Sequence, residues 1–376
     1  MRAIVVGAGI MGLSTAWALS RRGCSAVVVE QHQVPNPLGS SVDQHRLIRY
    51  SYGAQASYTA MVADAYAAWD RLWADLGRSL YVDTGTLCIG AEGHGWLNDS
   101  AATLERRGDA VEWLSQTDLA RRFPLLRLDP RDRAFLLPSG GVLLATGIVE
   151  ALARYLPVAG VAIRAGSAAV SVDPERATVT LDNGEILSGD HVVVAAGPWV
   201  GRLLPELAGR VTPSRQVLTY LYPPPDQALA WSRMPMVLDI DPAFGFYLVP
   251  PVGGTLMKVG DHSFSLTGDP DRDRQVADAE TASLLEGCAR RLAGFDRYRP
   301  GEAKSCFYTV EAEERFVVEP IGAAGWVMTG FSGHGFKFGA LMGEAVAETL
   351  TGDRSPTALP RWAAGHDPQA PEGPTA

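Results

Sequence analysis

At 376 residues, with 47% apolar and 20% charged side chains, the chain has the composition of an ordinary globular protein and enough length for two lobes. A formal charge of −9 without any basic run excludes a protein that grips a nucleic-acid backbone, yet leaves room for a few basic side chains to converge on a small anion. No apolar stretch reaches the ~18 residues of a bilayer-spanning helix, and Cys24, Cys88, Cys288 and Cys306 lie apart without metal-ligand spacing, so neither a membrane partner, a metal site nor structural disulfides are expected.

The chain opens directly on a β-branched run, Ala3 to Val6, with no leader pattern before it, so a cytoplasmic protein is expected. Met11 to Ser20 reads as a helix and Ala26 to Glu30 as a second strand, making a βαβ unit. Between strand and helix stands Gly7-Ala8-Gly9-Ile10-Met11-Gly12. Gly7 permits a tight turn, Gly9 lets backbone approach a pyrophosphate, and Gly12 allows close helix packing. The helix N-terminus then faces the phosphates, and Glu30 at the second strand end is placed to accept hydrogen bonds from a ribose. An acidic residue there disfavours NADP; the motif alone does not separate NAD from FAD.

Residues 58–76 carry Met61, Ala65, Trp69, Leu72 and Leu76 at helical spacing, which predicts a helix with one buried face. Tyr81 to Gly90 and Leu136 to Leu144 read as strands and turns, and Asp190 to Trp199 as a doubly covered strand closed by glycine, which belongs with the nucleotide-binding lobe. Val217 to Tyr222, Phe244 to Val249 and Leu256 to Gly260 predict strands of a second lobe, with a helix over Asp278 to Leu292. Gly339 to Leu350 predicts a last helix, and the Pro-, Gly- and Ala-rich stretch from Gly352 is expected to bury little.

Four further pieces carry a resemblance: His45 to Gly53 (HRLIRYSYG), Phe246-Tyr247 leading to Lys258-Val259-Gly260-Asp261-His262, Ser305 to Thr309 (SCFYT), and Gly330 to Lys337 (GFSGHGFK). With these in order, the chain before its tail resembles the monomeric sarcosine oxidase family of the D-amino-acid-oxidase-like flavoproteins. The resemblance implies FAD as cofactor, attached covalently through Cys306, with the backbone of the loop holding Gly333, His334, Gly335 and Lys337 against the flavin. It implies that Arg49 and Lys337 clamp a substrate carboxylate and that Arg46 stands beside the flavin. It further implies that oxygen is activated at Lys258, while Tyr247 and His262 line the amine end of the site. On the residues alone, Arg46 and Arg49 read equally as solvated charges, Lys258 as a strand-edge lysine, Cys306 as an inert buried cysteine and His334 as a structural histidine.

The expected fold is therefore a two-lobed α/β flavoprotein. A Rossmann-like FAD-binding domain is assembled from residues 1–85, 140–215 and 305–350, and an antiparallel-sheet substrate domain from 86–139 and 216–304, followed by a tail, 351–376. The expected activity is that of an FAD-dependent amine or amino acid oxidase. A hydride passes from the C–H next to nitrogen of a sarcosine-like N-methyl amino acid or secondary amine to flavin N5, water hydrolyses the resulting imine, and molecular oxygen is reduced to hydrogen peroxide. Cyclic imino acids, fructosyl amino acids and specialised biosynthetic amines stay open as substrates, as do a dehydrogenase and a non-catalytic redox sensor. Members of the family are often monomeric. Two departures bear on substrate preference: His45 stands where better-known members carry a small hydroxyl residue, and Leu38 to Gln44 lacks their histidines.

Overall fold

The computed structural model describes residues 1–366. Six strands form one sheet in the order Val317–Ile321, Gly325–Thr329, His191–Val194, Arg2–Val6, Ser25–Glu30, Ala162–Ala165. All neighbours are parallel except the first pair. Both faces of this sheet are covered, which is why its strands read as unbroken apolar runs. Ala3, Val5, Val28 and Val193 face the helices Ile10–Arg21 and Gly339–Leu350, through Leu13, Trp17 and Val346. Ile4, Val6, Val192 and Val194 face Val179, Leu181 and Leu187 of a small three-stranded sheet built from Ala169–Asp173, Thr178–Leu181 and Ile186–Ser188.

A second sheet has eight strands in the order Arg299–Glu311, Val211–Tyr222, Met257–Gly260, Phe246–Val249, Met236–Asp239, Thr86–Ala91, Asp132–Leu137, Glu112–Leu114. It is antiparallel apart from the pairing of Met236–Asp239 with Thr86–Ala91. Met257, Val259, Phe246 and Leu248 pack against Leu284 and Cys288 of the helix Asp278–Arg291. Because successive side chains in a strand point to opposite faces, Lys258 and Tyr247 are directed to the other side. A further three-stranded sheet joins Arg46–Ile48 to Gly141–Leu143 and Tyr81–Asp83, with Arg46 opposite Leu143.

The run from Tyr81 to Gly90 holds the expected strands and turn, the turn at Thr84 and Gly85 dividing it between two sheets. Three expectations change. The strand holding Lys258 is interior rather than an edge, and it stops at Gly260, so His262 lies in the segment beyond it. Arg299–Glu311, thirteen residues long, is a full strand where only a short motif stood out. The stretch after Gly352 does not merely trail away, since Ala358–Ala363 is a helix whose Leu359 and Ala363, four residues apart and so on one face, are buried in the core. The rest of the expected tail, 367–376, lies outside the described residues. Among the described residues no helix is long and apolar enough to cross a membrane.

Candidate active site at the junction of two cavities

The glycine turn after Arg2–Val6 borders a cavity of about 300 Å³ that Gly7, Gly9, Glu30, Ser41 and Gly335 line. Gly7 has φ +106°, and a Cβ there would sit 2.4 Å from the carbonyl oxygen of Ala195, so no other residue fits. Gly12 lines neither this cavity nor the next: it lets the helix stack on the turn, where a Cβ would lie 1.9 Å from the oxygen of Gly7. Gly9 caps the helix without a side chain, and Ile10 N donates to Ser41 Oγ at 2.9 Å. Glu30 is buried and oriented by neutral donors, accepting from Ala8 N and Asn36 Nδ2 at 2.9 Å each and from His32 N at 3.1 Å. A turn that a Cβ would fill, a helix N-terminus and an oriented carboxylate at the strand end fit the dinucleotide part of FAD.

A second cavity, of about 800 Å³, shares Arg46, Tyr308, Ser332, Gly333 and Phe336 with the first, so the two meet there. It brings together Arg46, Arg49, Tyr247, Lys258, His262, Cys306, Gly333, His334 and Lys337 from distant parts of the chain. Arg49 stacks over Tyr52, its guanidinium carbon 4.7 Å from the ring centroid, and lies 5.7 Å from the ring of Trp96. Its Nη1 is buried and has no hydrogen-bond partner among the described residues. Lys337, 4% exposed, donates to Tyr52 Oη at 2.8 Å and to His334 O at 2.9 Å. Burial, and then Arg49, hold its ammonium well below the ordinary lysine range.

Tyr52 Oη in turn lies 3.2 Å from His334 Nδ1, and His334 Nε2 lies 3.0 Å from Glu314 O. Since the carbonyl of Glu314 can only accept, Nε2 of the neutral His334 donates to it, Nδ1 accepts from Tyr52 Oη, and Tyr52 Oη accepts from Lys337. With both ring nitrogens committed, and its ring packed on Tyr58 and Phe316, His334 braces the loop. Gly333 in that loop has φ +78°, and a Cβ would meet the Tyr308 ring at 2.5 Å. Tyr52, inside a stretch whose arginines drew attention, is a site residue that sequence reasoning passed over.

Cys306 is buried on Arg299–Glu311, its Sγ 3.8 Å from Arg46 Nη2. Cationic neighbours suggest a thiolate, but burial outweighs the pull of Arg46 and raises the thiol above its usual range.

The residue that sequence reasoning missed altogether is Asp43. Its buried carboxylate accepts from Lys258 Nζ at 2.7 Å, from Gln44 N at 2.7 Å, and also from Arg46 and Tyr220. Burial alone would raise this carboxyl, but Lys258 and Arg46 hold it well below the usual range. Lys258, 2% exposed, also donates to His45 O at 2.8 Å, and its Nζ lies 5.6 Å from the Tyr247 ring. Burial lowers its ammonium to about 8 against the opposing pull of Asp43. Tyr247 and His262 are neighbours, with ring centroids 6.0 Å apart. His45 is fully buried, held by burial at about 3, with Nε2 3.0 Å from Leu256 O and Nδ1 unpartnered. It is thus a neutral group under the lysine strand.

A profile of the FAD dependent oxidoreductase family matches residues 2–349. The chain is 30% identical over 362 residues to peroxisomal sarcosine oxidase of Mus musculus, covering 92% of this chain and 91% of that one. It is 27% identical over 352 residues to N-methyl-L-tryptophan oxidase of Yersinia pestis (strain Pestoides F), covering 92% and 93%. Among solved structures it is similar to NikD, an unusual amino acid oxidase essential for nikkomycin biosynthesis, with a TM-score of 0.82, 25% identity and 96% of both chains covered. Glycine turn, oriented carboxylate, two-sheet architecture and a match over nearly the whole length agree: the chain belongs to the FAD-dependent oxidoreductase family.

Proposed function

We propose that the protein is an oxidase of a secondary amine or N-methyl amino acid, using FAD attached through Cys306 and molecular oxygen as acceptor. The observation that carries this reading is Arg49, half-buried with its Nη1 shut away from solvent, beside the buried amine of Lys337: both line the same cavity as Lys258 and Cys306, and among the described residues neither pairs with a carboxylate. Buried charge without a counter-ion is costly, and a substrate carboxylate supplies one. When bound, FAD takes up a hydride from the carbon next to nitrogen and is reoxidised by oxygen.

The chain's own residues bind and orient. Arg49 and Lys337 fix the carboxylate. Tyr247 and His262 wall the amine end, and Tyr247 keeps its hydroxyl proton because burial raises it well above the ordinary phenol range. Arg46 and Lys258 place positive charge where negative charge accumulates. The cavity of about 800 Å³ is walled in part by the apolar side chains of Trp96, Ile240, Phe244 and Phe264, which leaves room for an apolar substituent on the substrate. The proposed substrate therefore carries a side chain bulkier than hydrogen.

The test is a visible spectrum before and after acid precipitation, followed by peroxide detection with N-methylglycine, bulkier N-methyl amino acids, cyclic imino acids and fructosyl amino acids. The expected result is a yellow protein that makes peroxide with a bulky member at higher kcat/KM than with N-methylglycine. A colourless protein would overturn the reading. The neutralisation of Lys258 by Asp43 favours a second reading, a dehydrogenase that reacts slowly with oxygen. Bleaching by substrate under nitrogen, with little peroxide in air, would select it.

Arg49→Ala should weaken binding of a small carboxylate competitor by about 1.5–3 kcal/mol, roughly 10- to 150-fold, the range of hydrogen bonds to charged groups. A dissociation constant unchanged in a flavin titration removes the clamp.

A further inference from the structure

The carboxylate of Asp43 joins three segments that line the second cavity. It sits in the segment before Arg46–Ile48, takes Tyr220 from Val211–Tyr222, and takes Lys258 from Met257–Gly260. Its backbone oxygen also accepts from Thr146 N at 3.0 Å and from Thr146 Oγ1 at 2.7 Å, at the start of the helix Ala145–Val158. Two carboxylate oxygens offer about four acceptor positions. Gln44 N and Tyr220 occupy Oδ1, while Arg46 and Lys258 occupy Oδ2. The carboxylate therefore has no freedom to turn.

An ammonium has three N–H bonds. Lys258 gives one to Asp43 and one to His45 O, leaving the third for the cavity it lines. The titratable and charged groups around Lys258 are Asp43 and Arg46 from one segment, His45 beneath it, Tyr220 and Tyr247 from the neighbouring strands, and Cys306 from the strand beyond. Of these only Asp43 is an anion while Cys306 keeps its proton.

We propose that Asp43 is a positioning residue that keeps Lys258 protonated and aimed into the cavity, and so sets both the net positive charge beside FAD and the pH range over which the reduced enzyme meets oxygen. This rests on FAD lying across the junction of the two cavities. While Lys258 is protonated, Lys258, Arg46 and Asp43 sum to one positive charge; once it is neutral they sum to zero.

The test is Asp43→Asn in the FAD-bound protein, with the midpoint potential read by chemical reduction across pH. Burial lowers the Lys258 ammonium to about 8, so the parent's break is expected near there. Without the anion it should fall by ~1–3 pH units, the effect of one close opposite charge. Below the new break the variant holds two cations against the parent's net one, and above about 8 it holds Arg46 against the parent's zero. Its potential should therefore exceed the parent's in both ranges and converge with it between them, because positive charge favours the reduced, anionic cofactor. Lys258→Met should abolish the break.

A purely structural Asp43 would leave both curves unmoved in a folded, yellow variant, and that outcome overturns the inference. Should Asp43→Asn fail to fold, Tyr220→Phe decides. Removing one donor concentrates charge on the carboxylate, so the break should move upward, and a fixed or falling break rejects the role. These potentials need no amine. A parent chain with bound FAD and no peroxide from any amine removes the substrate reading and leaves the Asp43 test standing.

Discussion

Lys258→Met protein, reduced under nitrogen and then mixed with oxygen, should reoxidise on the order of 10²- to 10³-fold more slowly than the parent, the loss typical when one preorganised electrostatic stabiliser is removed. Reduction by substrate should change little, because the proposed carboxylate clamp, Arg49 and Lys337, is left intact. Methionine matches lysine in length and suits a position 2% exposed, so the cavity wall keeps its shape. What changes is charge: Asp43 retains Arg46, Tyr220 and Gln44 N, and the local sum falls from one to zero. Stopped-flow traces of the two half-reactions separate this from general damage. Equal losses in both would take the oxygen role away from Lys258.

The second large effect concerns attachment. Acid-precipitated parent protein should keep its yellow colour in the pellet, whereas Cys306→Ser should release essentially all of its flavin to the supernatant. Serine preserves the size of the buried side chain but lacks a nucleophile of comparable strength. No other cysteine can substitute, since Cys24, Cys88 and Cys288 line neither cavity, and burial raises the thiols of Cys88 and Cys288 to about 12. A yellow pellet from Cys306→Ser would place the bond elsewhere, and a colourless parent pellet would mean none forms. Burial also raises the Cys306 thiol, so Arg46, 3.8 Å away, is the cation best placed to stabilise the thiolate the bond requires.

What the sequence discloses divides by distance along the chain. Gly7, Gly12 and Glu30 act within one βαβ unit, so spacing alone identifies them, and the apolar runs of Ala3 to Val6 and His191 to Val194 declare a sheet covered on both faces. Lys258 and Cys306 stood out only through resemblance, because nothing local distinguishes a buried functional lysine from an edge lysine. Asp43 stayed hidden because two of its partners, Lys258 and Tyr220, lie 215 and 177 residues away. The strand Arg299–Glu311 was legible only at Ser305 to Thr309, since Pro300, Gly301 and Lys304 break the apolar signal in its more exposed half. Ala358–Ala363 was missed because its burying pattern amounts to Leu359 and Ala363 within a Pro- and Ala-rich composition.

The placement of Gly325–Thr329 beside His191–Val194, and of Gly339–Leu350 against Ile10–Arg21, carries a consequence for the nascent polypeptide. The dinucleotide turn leaves the ribosome well before the strand Gly325–Thr329 that extends its sheet and the helix Gly339–Leu350 that packs over it, both made more than 300 residues later. Until then Val5, Leu13 and Trp17, all fully buried in the finished protein, lack part of their cover. Contacts of such high sequence separation form slowly and leave apolar surface open to aggregation. Synthesis rate and chaperone supply, rather than the stability of the finished protein, should therefore govern how much soluble enzyme a cell obtains.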